Sequence, residues 1–480
     1  MAKKKKCWLP LLGLMEVESP MRYLAVSLVF LALLVTPVTG QTTRPALPPR
    51  TSPGQPAVEV PSQLTLDKAE EILLQNNLAI IAARYGVDLA RAQRLTAAVR
   101  PNPTLTLGAE QFNFNNPGRN LTTDNPTASQ RTYTWRLDQL IERGRKRQLR
   151  TEAADFQVQA AEAQVLDTIR QQLLQLRQTF YTAVLARENV RVAVENLDLT
   201  NATERLIKVR VNAGDAPEWD LIKFQANKVQ FQRDLVSAQL DYQQAVRDLL
   251  NLLGAQAGKI IKTPAAAGAA QMPIPLRDSL LDVVGDLAVA PPPISASLEE
   301  LRQVAIEHRP DVIAAQRAVD ASRRTLDLAY AQRRRDIDIA GEYQRIGGDN
   351  TVGMTISVPL FLFNTFQGQI DQGLAQLQQA NVQLDQARLQ ALTDVDKAYR
   401  AYQSSQQVLQ VYTAETLAKA GESFRIARAT YRQGATSLLE LQEAQRTLNQ
   451  TRVAANQAHF DYRMSLYQLE LATVRRFLEP

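Results

Sequence analysis

The sequence predicts a mainly α-helical chain that also carries membrane β-barrel strands, organised as a duplicated helix–β-hairpin–helix repeat. Three observations predict it. One residue pattern occurs twice along the chain, two stretches hold apolar seams far longer than a globular helix needs, and four short segments alternate apolar and polar residues.

The duplication comes first. NNLAIIAARYGVDLA (76–90) aligns with HRPDVIAAQRAVDAS (308–322), sharing Ile80/Val312, Ile81/Ile313, Val87/Val319 and Asp88/Asp320. VNAGDAPEWDLIKFQAN (211–227) aligns with YRQGATSLLELQEAQ (431–445), pairing Gly214 with Gly434 and Leu221 with Leu441, and Asp241-Tyr242 matches Asp461-Tyr462. The expected repeats span 64–254 and 297–475. Between them lies an Ala/Pro-rich linker, 255–296, and after them a tail, 476–480.

Each copy opens with a helix, near 65–99 and 298–332. A long helix is expected at 139–212 and at 365–432, then a Gly-containing turn and a further helix at 217–252 and 437–475. The seams are Leu166, Ile169, Leu173, Leu176 and Phe180 in the first copy, and Leu384, Ala387, Ala391, Val395, Ala398, Tyr402, Ser405, Leu409 and Tyr412 in the second. Their spacing of three and four is that of a coiled coil. A helix of about 70 residues would run about 105 Å.

Strands are expected near 104–114, 131–137, 336–343 and 352–360. Leu105, Leu107, Tyr133, Trp135, Leu137, Ile337, Ile339, Tyr343, Met354 and Ile356 form apolar faces, opposite Thr, Arg, Asp and Glu. That division suits a barrel with lipid outside and water within; the alternative is two hairpins on a soluble core. Four strands cannot close a cylinder and leave their edges unpaired. Three copies supply about twelve and can close, so the membrane reading implies a homotrimer in outer-membrane lipid. Loops 115–130 and 346–350 would then face outside the cell.

The remaining composition narrows the function. Of 480 residues 45% are hydrophobic, which allows a sizeable core. The net charge is +6, but residues 1–40 hold five basic residues against two acidic ones, so the rest is only mildly basic. Nucleic acid is not an expected partner. Residues 1–40 read as a signal peptide: basic residues, the apolar run 23–35, and Val38 and Gly40 at the −3 and −1 positions. The alternative is an N-terminal anchor, and Met21 is a second candidate start. Residues 41–63 read as a flexible leader. The single Cys7 lies in the signal region, and His308 and His459 cannot form a His-rich metal site. No nucleophile–base set, phosphate loop or zinc spacing occurs. The sequence therefore predicts no enzyme, no cofactor and no metal centre.

The chain resembles the TolC family of outer membrane efflux proteins. The resemblance rests on Arg100-Pro101-Asn102-Pro103 before the first strand, Ser357-Val358-Pro359-Leu360-Phe361 closing the fourth, Phe363-Asn364-Thr365-Phe366-Gln367-Gly368 opening the second long helix, and the stretch Tyr431 to Leu441 at a hairpin tip. It covers about residues 64–475. The Pro-Asn-Pro segment and Glu142 to Arg147 look most like the CzcC-type heavy-metal branch, although Gly144-Arg145 replaces that branch's double glycine. The resemblance implies a trimeric twelve-stranded barrel on a long α-helical periplasmic tunnel. It also implies docking onto a periplasmic adaptor joined to an inner-membrane pump, with the tunnel gated at the hairpin tips. The function expected is a passive exit duct of a tripartite efflux or type I secretion system, for small molecules or metal ions. The alternative is a surface-anchored structural coiled-coil protein.

On this reading Gly214, Trp219, Gly434, Thr436 and Ser437 are candidates for the periplasmic tip and adaptor docking, the two glycines also being simple helix C-caps. Asp215, Glu218 and Asp220 are candidates for an aperture charge ring, or the last two simply favour a helix start. Arg143, Arg145, Lys146, Arg147 and Arg150 are either a solvated helix face or contacts to phospholipid headgroups.

Overall fold

The structure is a computed structural model that describes residues 60–110 (62 excepted), 131–254, 281–287, 294 and 296–475 (348 excepted). The signal peptide, most of the leader, the loop 115–130, most of the linker and the tail lie outside the described residues.

In chain order the elements are β1 (Gln63–Leu64), α1 (Leu66–Asn76), α2 (Leu78–Ala98), β2 (Thr104–Glu110), β3 (Thr132–Ile141), α3 (Lys146–Asn212), α4 (Glu218–Leu252), β4 (Asp282–Val283), α5 (Leu298–His308), α6 (Pro310–Gln332), β5 (Ile337–Ile346), β6 (Asp349–Ser357), α7 (Gln367–Val411), α8 (Ala414–Arg432) and α9 (Leu438–Thr473). The order helix–helix–strand–strand–helix–helix runs through 66–252 and, with one extra break, through 298–473.

Helix α3 holds 67 residues, about 100 Å at 1.5 Å per residue. No such rod is stable on propensity alone; packing on α2, α4, α6 and α9 sustains it. Its apolar seam is buried at Leu176 and Phe180 and half-buried at Ile169 and Leu173. Leu166, expected in that seam, is 58% exposed instead. Helix α7 buries Leu384, Ala391, Val395, Ala398 and Tyr402 as expected.

The expected helix boundaries change at several places. Helix α3 starts at Lys146 rather than 139, because β3 continues through Gln139, Leu140 and Ile141 to pair with β5. The left-handed Gly144 (φ 74) and Arg145 (φ 61) then turn the chain. The stretch 65–99 is two helices. Asn77 ends α1 and caps α2, accepting from the Ala79 and Ile80 amides at 2.9 and 3.1 Å. The stretch 298–332 breaks at Arg309, where Pro310 lacks the amide a continuing helix would need. The expected helix 365–432 also breaks. Tyr412 leaves helical geometry (φ −93, ψ 57), and Thr413 caps α8 by accepting from the Thr416 amide at 3.3 Å.

Structure extends into the end of the expected flexible leader and into the expected linker. Val60 is buried, and β1 pairs in parallel with β4, which lies within 255–296, Leu64 facing Val283. Arg187 of α3 holds this small sheet, donating to the carbonyls of Val283 and Gly285. Leu64 and Val283 join Phe180, Val184, Tyr242 and Leu249 in the largest apolar cluster. A second cluster, around Ile207, Phe224, Phe424, Tyr431 and Leu441, lies at the far end of the bundle. Between them Gln445 donates to Asn196 at 3.0 Å and Thr200 at 2.7 Å, all three buried. A satisfied polar layer of this kind sets helix register, since any slip leaves it unpaired.

The main sheet is antiparallel, in the order β2–β3–β5–β6. Its second hairpin is shifted from expectation. β5 and β6 zip up to Ile346 opposite Asp349, and Val358 to Leu360 leave the ladder.

Candidate functional site

Two regions carry candidate function, at opposite ends of the helices. The first is the sheet. Residues opposite one another in an antiparallel ladder share a face. One face carries the rows Leu107–Trp135–Tyr343–Val352, Leu105–Leu137–Gly341–Met354 and Gln139–Ile339–Ile356. The other carries Thr106–Arg136–Glu342–Gly353 and Gly108–Thr134–Gln344–Thr351. The apolar rows are open: Val352 is 84% and Met354 70% exposed. Trp135 and Tyr343 rings lie 5.3 Å apart on that face. On the polar face Arg136 pairs with Asp138 at 2.8 Å and lies 3.7 Å from Glu342. Among the described residues β2 and β6 are the outer strands, each pairing on one side only.

The second region is the pair of turns joining α3 to α4 and α8 to α9. Both are the same cap. The Gly214 amide donates to the Val211 carbonyl at 3.0 Å and the Asp215 amide to Arg210 at 2.9 Å. Gly434 and Ala435 repeat this with Tyr431 and Thr430, at 3.1 and 3.0 Å. Each glycine sits at φ 77, where a side chain is strained. Among the described residues Gly434, unlike Gly214, also has a neighbour, Arg210 Nη2, 3.4 Å from where a Cβ would stand.

The other candidates divide. Trp219 projects into solvent, 66% exposed. Ser437 caps α9, accepting from the Glu440 amide at 3.3 Å, and the Thr436 hydroxyl meets that of Thr430 at 3.1 Å. Asp215 and Glu218 are exposed and form no ion pair among the described residues. Asp220 is half-buried and its charge acts on Tyr431. Glu218 and Asp220 also occupy the first turn of α4, where the helix dipole favours them.

Sequence reasoning missed the residue that joins the two turns. Arg210, in the last turn of α3, donates to the Tyr431 carbonyl at 2.7 Å and the Asp215 carbonyl at 2.9 Å. Its guanidinium lies 4.7 Å from the Tyr431 ring centre. Burial pushes the Tyr431 phenol above its usual pKa, with Arg210 opposing and Asp220 reinforcing the shift. A basic residue four positions before Gly214 was the available signal, but nothing in it named Tyr431. Nearby, Glu204 of α3 binds Lys228 and Gln225 of α4 at 2.8 and 3.0 Å, and Lys208 at 2.9 Å. Those partners hold its carboxyl at about 2.

Among the described residues no group of acidic, His or Cys side chains is placed to hold a metal ion, and no helix is long and apolar enough to cross a membrane.

Comparison with known proteins agrees with this layout. The chain is 23% identical over 397 residues to the cobalt-zinc-cadmium resistance protein CzcC of Cupriavidus metallidurans, covering 82% of this chain and 86% of that one. It is 21% identical to nodulation protein T of Rhizobium leguminosarum bv. trifolii, covering 80% of each. Crystal structures of CusC, described in terms of folding and transmembrane channel formation, superpose with a TM-score of 0.67 at 20% identity, covering 87% of this chain and 93% of that one. The outer-membrane channel OprN superposes with a TM-score of 0.68 at 18% identity, covering 86% and 91%. The model of the outer membrane efflux protein family matches residues 71–255 and 301–473, taking in every strand of the main sheet and both turns. The chain belongs to the outer membrane efflux protein family, the TolC-type channels, and is an outer-membrane efflux channel component.

Proposed function

We propose that three copies of this chain form one passive exit duct, with a twelve-stranded barrel in the outer membrane and a helical tunnel in the periplasm. The observation that carries this is the main sheet. Its apolar rows are exposed, its opposite face is charged, and among the described residues its outer strands β2 and β6 each lack a partner on one side. Pairing β6 of one copy with β2 of the next satisfies both edges and closes the cylinder. β3 and β5 hold 10 residues each, about 33 Å of strand. Tilted by about 45°, that spans about 23 Å, close to the apolar band of an outer-membrane barrel.

In this reading the element order that recurs in 66–252 and 298–473 is a duplication, and the turns at Gly214 and Gly434 are the periplasmic tips. Exposed Trp219 and the Thr436–Ser437 turn are the docking points for a periplasmic adaptor, which links the duct to an inner-membrane pump. Asp215 and Glu218 of three copies ring the aperture and favour cations, with Asp220 set back against Tyr431. Arg210 holds the tips together in the closed state. Similarity to CzcC supports divalent metal cations as cargo. The family match across the strands leaves the surface-anchored coiled-coil alternative without support.

The test is the assembly. Outer-membrane fractions are expected to yield a species of three chain masses in detergent that falls to one on heating. A monomer soluble without detergent would overturn the reading. In planar bilayers, neutralising Asp215 and Glu218 to amides is expected to lower cation preference, and unchanged selectivity would remove the ring.

A further inference from the structure

All four junctions between the main sheet and the helices lie at one end of the sheet, because β2 and β5 enter from helices and β3 and β6 leave into them. That end gathers arginines from separate parts of the chain. Arg100 precedes β2, Arg143 and Arg147 follow β3, and Arg333, Arg334 and Arg335 link α6 to β5. Two of these groups are in direct contact, since the Arg334 side chain lies over Gly144, 2.8–3.2 Å from where a Cβ would stand.

Glu142, Asp138 and Asp336, acidic residues of the same end, are already used, and a further one, Asp338, turns a carboxylate oxygen inward, away from solvent. Glu142 pairs with Arg150 at 3.0 Å, and Asp138 with Arg136 at 2.8 Å. Asp336 takes Lys146 at 2.7 Å and the Arg143 backbone amide at 2.8 Å. Arg150 also donates to the Ala97 carbonyl at 3.0 Å, behind the end of α2. Lys146 and Arg150 are thus structural cations. The six arginines named above reach no carboxylate among the described residues, and all but half-buried Arg147 are exposed. Beside them the rim is apolar: Leu362 is 74% and Phe363 100% exposed, and Arg335 lies 5.9 Å from the Phe361 ring centre.

We propose that this collar is a binding surface for anionic phospholipid headgroups, those of the membrane leaflet that meets the helical end of the barrel. The proposal rests on the barrel reading above and adds a lipid preference to it. The argument is one of charge and level. The apolar rows of the sheet end at Ile141, Ile337 and Ile356, and the arginines begin within a few residues of those ends. Long cationic side chains there keep their stems on the apolar rim and reach the phosphates with their guanidinium groups. A guanidinium grips a phosphate through two parallel hydrogen bonds, which favours phosphate over a diffuse counter-ion cloud. Each basic residue near an anionic surface strengthens binding about fivefold, so an unneutralised cluster discriminates anionic from zwitterionic lipid. In a trimer the collar is repeated three times around the barrel.

The test uses the full mature chain purified in detergent and given phosphatidylglycerol or phosphatidylcholine, with retained lipid read by native mass spectrometry. Wild type is expected to retain phosphatidylglycerol at least about tenfold better. The variant R143Q/R333Q/R334Q/R335Q should bring the two lipids close to parity while still giving a heat-dissociable trimer. The corresponding lysine variant should keep most of the preference. If the fourfold glutamine variant does not assemble, R333Q/R334Q alone should lower the preference several-fold, since neither side chain has an acidic partner among the described residues. Equal retention of both lipids by wild type, or an undiminished preference in the glutamine variants, would overturn the collar. Displacement of the lipid by inorganic phosphate would overturn its assignment to a leaflet. Absence of any trimer would instead sink the barrel reading.

Discussion

The two halves of the chain cover the distance from sheet to far turn differently. The first uses one unbroken helix, α3, and the second two helices, α7 and α8, interrupted at Tyr412 and Thr413. Their ends differ as well. The first turn carries Asp215, Glu218 and Asp220, and the second offers Thr436 and Ser437. An interrupted helix can bend where its ladder is open, whereas α3 must move as one rod. We therefore expect the first half to act as the post and the second half to be the part able to swing. Arg210 is the tie between them.

The largest expected effect is on the post. Glu204 joins α3 to α4, and its partners hold its folded pKa at about 2, below the ordinary 4.5 of a free glutamate. A depressed carboxylate stabilises fully above its unfolded pKa and loses that contribution as pH falls through the folded one. Acidification from about pH 4.5 to 2 should therefore cost the first hairpin up to about 3 kcal/mol. Glu204→Gln should remove that pH dependence, read as amide exchange along α4, with little change along α8. Equal acid loosening of both hairpins would erase the distinction.

Next comes the tie. Arg210→Ala removes two charged hydrogen bonds and a ring contact, expected to cost about 2 kcal/mol. Exchange should rise at the amides around Gly434 more than around Gly214, and basal conductance should increase. A rise confined to the first turn would reverse the roles of post and swinging arm.

The glycines sharpen the comparison further. Both lie at φ 77, so Ala at either costs about 1–2 kcal/mol. Gly434→Ala should cost more than Gly214→Ala, because only it approaches Arg210. In an Arg210→Ala background the two thermal-unfolding penalties should converge. The smallest effect belongs to the break itself. Thr413→Ala should cost about 1 kcal/mol, visible as faster exchange at the start of α8 alone.

Much of this was legible one residue at a time. The faces of the four strands followed from alternation, because side chains in a strand point to opposite sides with period two. Gly214 and Gly434 followed from the demands of a left-handed cap. The helix breaks were half legible: Pro310 announces its own, but Thr413 is an ordinary residue until its hydroxyl meets the Thr416 amide. β1 and β4 were not legible, since two-residue strands carry no period. Leu166 misled because it kept the heptad spacing at a level where its side chain stays largely exposed among the described residues.

The sequence by itself determined the type of the main elements, the apolar side of each strand and the glycine caps that end α3 and α8, since periodicity and capping act within a few residues. Tertiary structure alone decided that Lys146 and Arg150 are consumed by Asp336 and Glu142 while Arg333 to Arg335 stay open. It alone placed Arg210 on Tyr431, 221 residues along the chain, and Gln445 on Asn196, 249 residues away. Charge and hydrogen-bond capacity are written in the chain, but partners so distant in sequence are chosen by the packing that brings them together.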